Sequence, residues 1–247
     1  MKTRHKYTLQ FSDTDASRRI PMNFVERYLL EAGGLSAMEM GIGTDHLLKK
    51  YDCAWVLTRM TIEMYYLPTY LENIIFETWV EQNSHLLSIR NYNIYIEKDG
   101  KETLIGRSVS VWTILNLTTR ALDGKCFSDP QWESIIDGEH LEFSRAPRLG
   151  KIEEPTSVMQ HTVHYSDLDY NQHCNSCKYT QFMLNACDKL AGVAPIRFDV
   201  NHAKEVHKGE NISVQVKEKE NEIQYCVLTE QGEVSCTGIM TVITPRP

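Results

Sequence analysis

Asp169, Asn171 and His173 stand at alternate positions in the stretch Asp167-Leu168-Asp169-Tyr170-Asn171-Gln172-His173. A carboxylate there can attack an acyl carbon or activate water. A neighbouring amide can orient that carboxylate or donate to a developing oxyanion. An imidazole can shuttle a proton near neutral pH. Together they are the groups that cleavage of an acyl bond needs. The stretch also imitates the start of a calcium loop, but positions six and twelve of that loop hold Gln172 and Lys178 instead of Gly and Glu. Cys174-x-x-Cys177, with His161, His164 and His173 near it, lacks a second pair to close a zinc site. No metal is expected, and no cofactor, because no nucleotide or phosphate loop is present.

The elements that must carry these residues occur twice. Tyr7–Ala32 aligns without a gap over His161–Ala186 at an offset of 154, with Thr8, Ser12, Asp13, Asp15, Leu30 and Ala32 meeting identical residues. Each copy reads as a short alternating strand, a Ser-Asp-x-Asp loop and a helix. In the second helix Tyr179, Phe182, Met183, Ala186, Cys187 and Leu190 form one stripe; Val25, Tyr28, Leu29 and Ala32 do so in the first. The period then changes to two. Strands are expected over Ala54–Tyr65, Ile74–Glu81, Leu86–Glu97 and Leu104–Leu117, and again over Ile196–Lys204, Ile212–Lys217, Ile223–Thr229 and Val234–Ile243. Asp99-Gly100 and Gln231-Gly232 mark hairpin turns. The class is α+β, with a helix wrapped by an antiparallel sheet in each of two tandem units. The units are placed at 1–126 and 157–247, joined by a Pro-, Gly- and charge-rich linker at 127–156. The two halves are expected to pair into one continuous sheet.

The copies differ where chemistry would occur. Ser17 stands opposite Asn171, and Arg19 opposite His173, so the first loop lacks the amide and the imidazole. That points to a site in the second half. Asp13 and Asp167, shared by both loops, read as turn carboxylates bonded to backbone amides. Arg59 and Glu63 share one strand face and read equally as an ion pair or a substrate contact.

Composition removes other classes. The formal net charge of −7 argues against a nucleic-acid binder. No run approaches the roughly 18 apolar residues of a membrane span, so no membrane insertion is expected. Met1–Gln10 is polar and basic, without the apolar core of a signal peptide. The seven scattered cysteines read as reduced thiols, which suits a cytoplasmic protein.

The sequence resembles the plant and bacterial acyl-[acyl-carrier-protein] thioesterases. Trp55-Val56-Leu57-Thr58-Arg59-Met60 is similar to that family's W-V-x-T-R-M strand, and Ser110-Val111-Trp112 with Leu117-Thr118-Thr119-Arg120 to its S-V-W…L-T-R segment. Asp167–His173, with Asn175 and Lys178-Tyr179, matches its D-L-D-x-N-Q-H-x-N-x-x-K-Y signature. The resemblance implies a double hot-dog fold and hydrolysis of fatty-acyl thioesters on acyl carrier protein, which terminates fatty-acid elongation. The implied catalytic residues are Asp169, Asn171, His173 and Glu205, with Leu67 near the matching place in the first half and the acyl-chain pocket in that half. The plant members carry a Cys after this Glu; Val206 stands there, so a cysteine nucleophile at that position is excluded. A carboxylate mechanism is implied, with Asp169 or Glu205 attacking or activating water. His202 and His207 flank Glu205 and read as surface or supporting residues. The implied partner is acyl carrier protein, and the chain is a monomer or a homodimer. An acyl-CoA thioesterase and a non-catalytic acyl-thioester-binding regulator are the alternatives on the same fold.

Overall fold

A computed structural model describes residues 1–142, 144, 147 and 149–244. In chain order the elements are β1 (Lys2–Thr8), α1 (Met22–Glu39), α2 (Thr44–Tyr51), β2 (Cys53–Met64), β3 (Asn73–Asn83), β4 (Ser88–Lys98), β5 (Lys101–Asn116), α3 (Pro130–Ser134), β6 (Ser157–Thr162), α4 (Ser176–Ala186), β7 (Ile196–His202), β8 (Asn211–Glu218), β9 (Glu222–Thr229) and β10 (Val234–Val242). Ten strands form one sheet in the order β1-β3-β4-β5-β2-β7-β10-β9-β8-β6. Read from the β2–β7 seam outward, the two sides repeat the same order. The duplication in the sequence is therefore a duplication in space, and the sheet is antiparallel throughout.

The helix stripes bury as their spacing requires. Val25, Leu29 and Ala32 of α1 and Met183 of α4 are fully buried, and Phe182 of α4 nearly so, in a core shared with Ile62, Phe76, Phe198 and Val214 of the sheet. A buried aliphatic or aromatic side chain of this size contributes about 1.5–3 kcal/mol, so these stripes hold the helices against the sheet. α4 ends at Ala186, earlier than the stripe suggested; Cys187 is extended (φ −158°), and Leu190 is buried beyond the helix. α2 carries no expectation from the sequence; its Leu47 is fully buried against Ile42 and Trp132. Within the Pro- and Gly-rich stretch after β5, α3 begins at Pro130, capped by the Asp129 side chain, and buries Trp132.

Turn chemistry agrees with the strand register. Asp99 (φ 53°) and Gly100 (φ 74°) both take left-handed conformations between Lys98 and Lys101, as a two-residue hairpin with the sheet's twist requires. At the seam, Thr61 donates to Asp199 Oδ1 at 2.6 Å, and Arg197 holds both Asp199 oxygens at 2.8 Å and Glu63 at 3.2 Å. The Arg59–Glu63 pairing is therefore replaced. Arg197, across the seam, takes the Glu63 carboxylate, because β2 and β7 lie side by side with Glu63 opposite Arg197. Among the described residues no helix is long and apolar enough to cross a membrane.

Candidate active site

The loop between β6 and α4 is built by its own side chains. Asp167 is buried and accepts from the His164 N–H (2.9 Å) and from His161 Nε2 (2.9 Å), with Lys178 at 3.8 Å. Burial pushes its carboxyl up, but these donors and charges outweigh it and leave it below the usual range. Asp13 repeats the arrangement in the first half, accepting from the Gln10 N–H, the Tyr28 hydroxyl and Arg27. Both are structural carboxylates, as their presence in both copies suggested.

Two residues on, Asp169 Oδ1 accepts from the backbone N–H groups of Asn171 (2.8 Å) and His173 (3.1 Å), while its own N–H donates to the His173 carbonyl. Gln172 takes φ 67° to close the turn. The first copy makes the same turn: the Ser17 N–H donates to Asp15 Oδ1, the Asp15 N–H donates to the Arg19 carbonyl, and Arg18 takes φ 61°. The turn geometry is thus common property, and only the side chains it displays differ. Arg19 points to the Tyr66 hydroxyl and the Leu67 carbonyl. His173 instead points across to Glu205, with Nε2 3.5 Å from Oε2.

Glu205 reaches the site because the segment after β7 folds onto the loop. The Cys174 N–H donates to the Val206 carbonyl, and His173 bridges His207. Arg120, from the turn after β5 and in the left-handed region at φ 56°, crosses between the halves to donate to Glu205 Oε2 at 2.7 Å. Arg120 stands in the L-T-R-like segment without a role legible in the sequence; its partner lies 85 residues away, beyond the reach of local patterns. His173, Glu205 and His207 place ligand atoms within 4.8 Å of one another and could gather round a metal ion. Arg120 already occupies the Glu205 oxygen, and its charge opposes a second cation there.

All four anticipated residues, Asp169, Asn171, His173 and Glu205, line one cavity of about 620 Å³. Asp169 and Asn171 also line a second cavity of about 620 Å³, walled by Leu30, Ala37 and Met38 of α1 and by Trp112. Trp55, Leu57 and Ser176 are likewise common to both. The carboxylate and amide therefore stand at the junction, whereas His173 and Glu205 face only the first cavity. α4 begins at this junction, and its N-terminal amides, which favour negative charge, are partly satisfied by the Asn175 cap onto Cys177 N–H at 3.0 Å. Burial pushes the Cys174 thiol up to about 12 and the Cys177 thiol well above its usual value, so neither offers a thiolate at neutral pH.

Family profiles match both halves: the acyl-ACP thioesterase N-terminal domain over residues 1–124 and the C-terminal domain over residues 150–242. A chloroplastic oleoyl-acyl carrier protein thioesterase of Coriandrum sativum is 25% identical over 201 residues, covering 75% of this chain and 54% of the relative. A chloroplastic palmitoyl-acyl carrier protein thioesterase of Arabidopsis thaliana is 29% identical over 71% of this chain and 43% of its own length. The chain thus spans about half the length of the plant relatives it matches. An acyl-ACP thioesterase from Bacteroides thetaiotaomicron superposes with a TM-score of 0.85 at 28% identity, over 97% of each chain. The 12:0-ACP thioesterase of Umbellularia californica shares the fold, with a TM-score of 0.84 at 18% identity over 99% of this chain and 98% of its own. On the two profile matches, which together take in nearly the whole sequence, the chain belongs to the acyl-ACP thioesterase family.

Proposed function

We propose that this chain hydrolyses fatty-acyl thioesters of acyl carrier protein, releasing the free fatty acid and the carrier's thiol and so ending chain elongation. One observation carries the reading: Asp169 and Asn171 stand where two cavities meet, with His173 and Glu205 on one side only. The apolar cavity beside α1 suits the acyl chain. The cavity walled by His173 and Glu205 suits the thiol arm. The thioester carbonyl then lies at the junction, between the carboxylate and the amide.

In this arrangement Asp169 attacks the carbonyl carbon or removes a proton from the water that does. Its two backbone N–H donors hold it in one rotamer for that task. Asn171 donates to the oxyanion, aided by the amides at the start of α4. The carbon–sulfur bond breaks, and the departing sulfur takes a proton from the His173 side, where Glu205 orients the imidazole. If Asp169 attacked directly, water then cleaves the resulting anhydride and restores the carboxylate. The units of the proposal are the halves 1–126 and 157–247, with the acyl pocket in the first and the reacting groups in the second. All seven cysteines are unbridged, which supports a cytoplasmic setting. The β2–β7 seam completes the paired sheet within one chain, which supports a working monomer.

The test is release of free thiol from matched palmitoyl thioesters of acyl carrier protein and of CoA. The expected result is a higher kcat/KM on the carrier-protein substrate. Equal or faster CoA turnover would overturn the substrate assignment, and tight binding without turnover would overturn hydrolysis itself.

A further inference from the structure

Glu26 belongs to α1, in the half without the amide and the imidazole, yet its carboxylate serves the other half. It is fully buried. Its Oε2 accepts from the Thr180 hydroxyl at 2.5 Å, and these two residues are separated by 154, the offset of the repeat. The bond thus joins equivalent positions of α1 and α4 and sits on the axis that relates the halves. The second oxygen, Oε1, is buried without a hydrogen-bond partner, and so is Nε2 of His202. These two atoms lie 3.8 Å apart. Each is costly alone, because a buried polar atom without a partner loses its hydration and receives nothing in exchange. A shift of less than about 1 Å brings them to ordinary hydrogen-bond distance.

His202 ends β7, three residues before Glu205, and lines the cavity assigned to the thiol arm. Its ring meets Tyr179 edge-on at 5.6 Å. The neighbouring titratable groups on α4 and β10 are Tyr179, Cys177 and Cys236. Burial pushes all three up, so they stay neutral and leave Glu26 as the group that orients the imidazole.

We infer that Glu26 is a positioning residue, and that a Glu26–His202 pair drawn from both halves binds the amide-bearing thiol arm of the substrate. Donation from Nε2–H to Glu26 fixes the tautomer and the ring plane. Nδ1 is then an acceptor in the cavity wall, suited to an amide N–H of a pantetheine-type arm. The inference rests on the hydrolase reading and adds a binding subsite to it.

Steady-state kinetics on the full chain test it. For acyl-pantetheine, E26L and H202F should each raise KM about tenfold, the worth of one good hydrogen bond, with kcat within about twofold. The double variant should be no worse than either single, since both remove one interaction. For the same acyl chain on ethanethiol, which has no amide, the variants should match the parent. Penalties that persist on ethanethiol, or that add in the double variant, would overturn the inference. Nitrogen-15 NMR of labelled histidine in the unmutated protein provides an arm independent of activity and of variant folding. His202 should be the Nε2–H tautomer, and an Nδ1–H tautomer would overturn the pairing. If the unmutated protein cleaves no thioester, the hydrolase reading fails, while the tautomer still decides the Glu26–His202 contact.

Discussion

At the scale of single residues, the two copies of the loop separate architecture from chemistry. Asp167 and Asp13 hold their loops; Asp169 and Asp15 shape corresponding turns. The difference is what the turn displays. His173 meets Glu205, whereas Arg19 meets Tyr66. Removing that imidazole or its partner should therefore act on chemistry: H173A and E205Q are expected to lower kcat about 10²–10⁴-fold, with far-UV circular dichroism unchanged; a loss under threefold would contradict the role. The thiols near the loop are inert by burial. C174A and C177A variants should keep most of the activity, and iodoacetamide at pH 7.5 should not inactivate the parent protein. Asp167 makes a different prediction. Its folded carboxyl is held low, so the stability it provides is full above its unfolded value of about 3.9. That stability disappears as pH falls through the lower folded value. D167N should cost about 2 kcal/mol at pH 7, and the Tm difference from the parent should shrink below about pH 4. A difference independent of pH would contradict this origin.

At the scale of elements, α1 does two tasks on opposite faces. Its stripe of Val25, Leu29 and Ala32 is core, while Leu30, Ala37 and Met38 wall a cavity. Close approach of this helix to β4 depends on Gly33: a Cβ there would stand 2.5 Å from the Tyr92 hydroxyl oxygen. G33A should destabilise by about 1–3 kcal/mol through overpacking and narrow the cavity. Thermal unfolding measures the first effect, and a shift of preference toward shorter acyl chains the second. Strands and turns were legible because period-two alternation and the left-handed Asp-Gly pair leave strong local marks. α2 was not, since eight residues with Leu47 as the one buried position are too short to show a helical period. The end of α4 was overrun because Cys187 and Leu190 extend the apolar stripe after the backbone has turned away. Asp169, Asn171 and His173 stood out by alternate spacing and by contrast with the first copy. Glu205 came from family resemblance alone. Glu26 carries no mark in the sequence, Arg120 stands in a family-like segment without a role, and His202 reads only as a surface or supporting residue, because their partners are brought close only where the two halves meet.

At the scale of the whole molecule, duplication makes one continuous sheet from two units. The β2–β7 seam is held by Thr61, Glu63, Arg197 and Asp199, and Glu26 and Arg120 cross it to reach the second half. Asp199 is buried, so D199A takes away the acceptor of Thr61 and one of the two carboxylates held by Arg197, which keeps Glu63. It should cost about 1–3 kcal/mol, measured by denaturant unfolding, and the two halves should still melt in one transition. A cost below about 1 kcal/mol would show that the seam does not depend on this network. The second copy of the loop is expected to work and the first to serve as a scaffold. The most direct measurement is thiol release from palmitoyl-acyl carrier protein by the parent chain, D169N and D15N. The parent should release thiol, D169N should lose about 10²-fold or more, and D15N should keep the parent's rate. Undiminished release in D169N, or an equal loss in D15N, would contradict this division of roles.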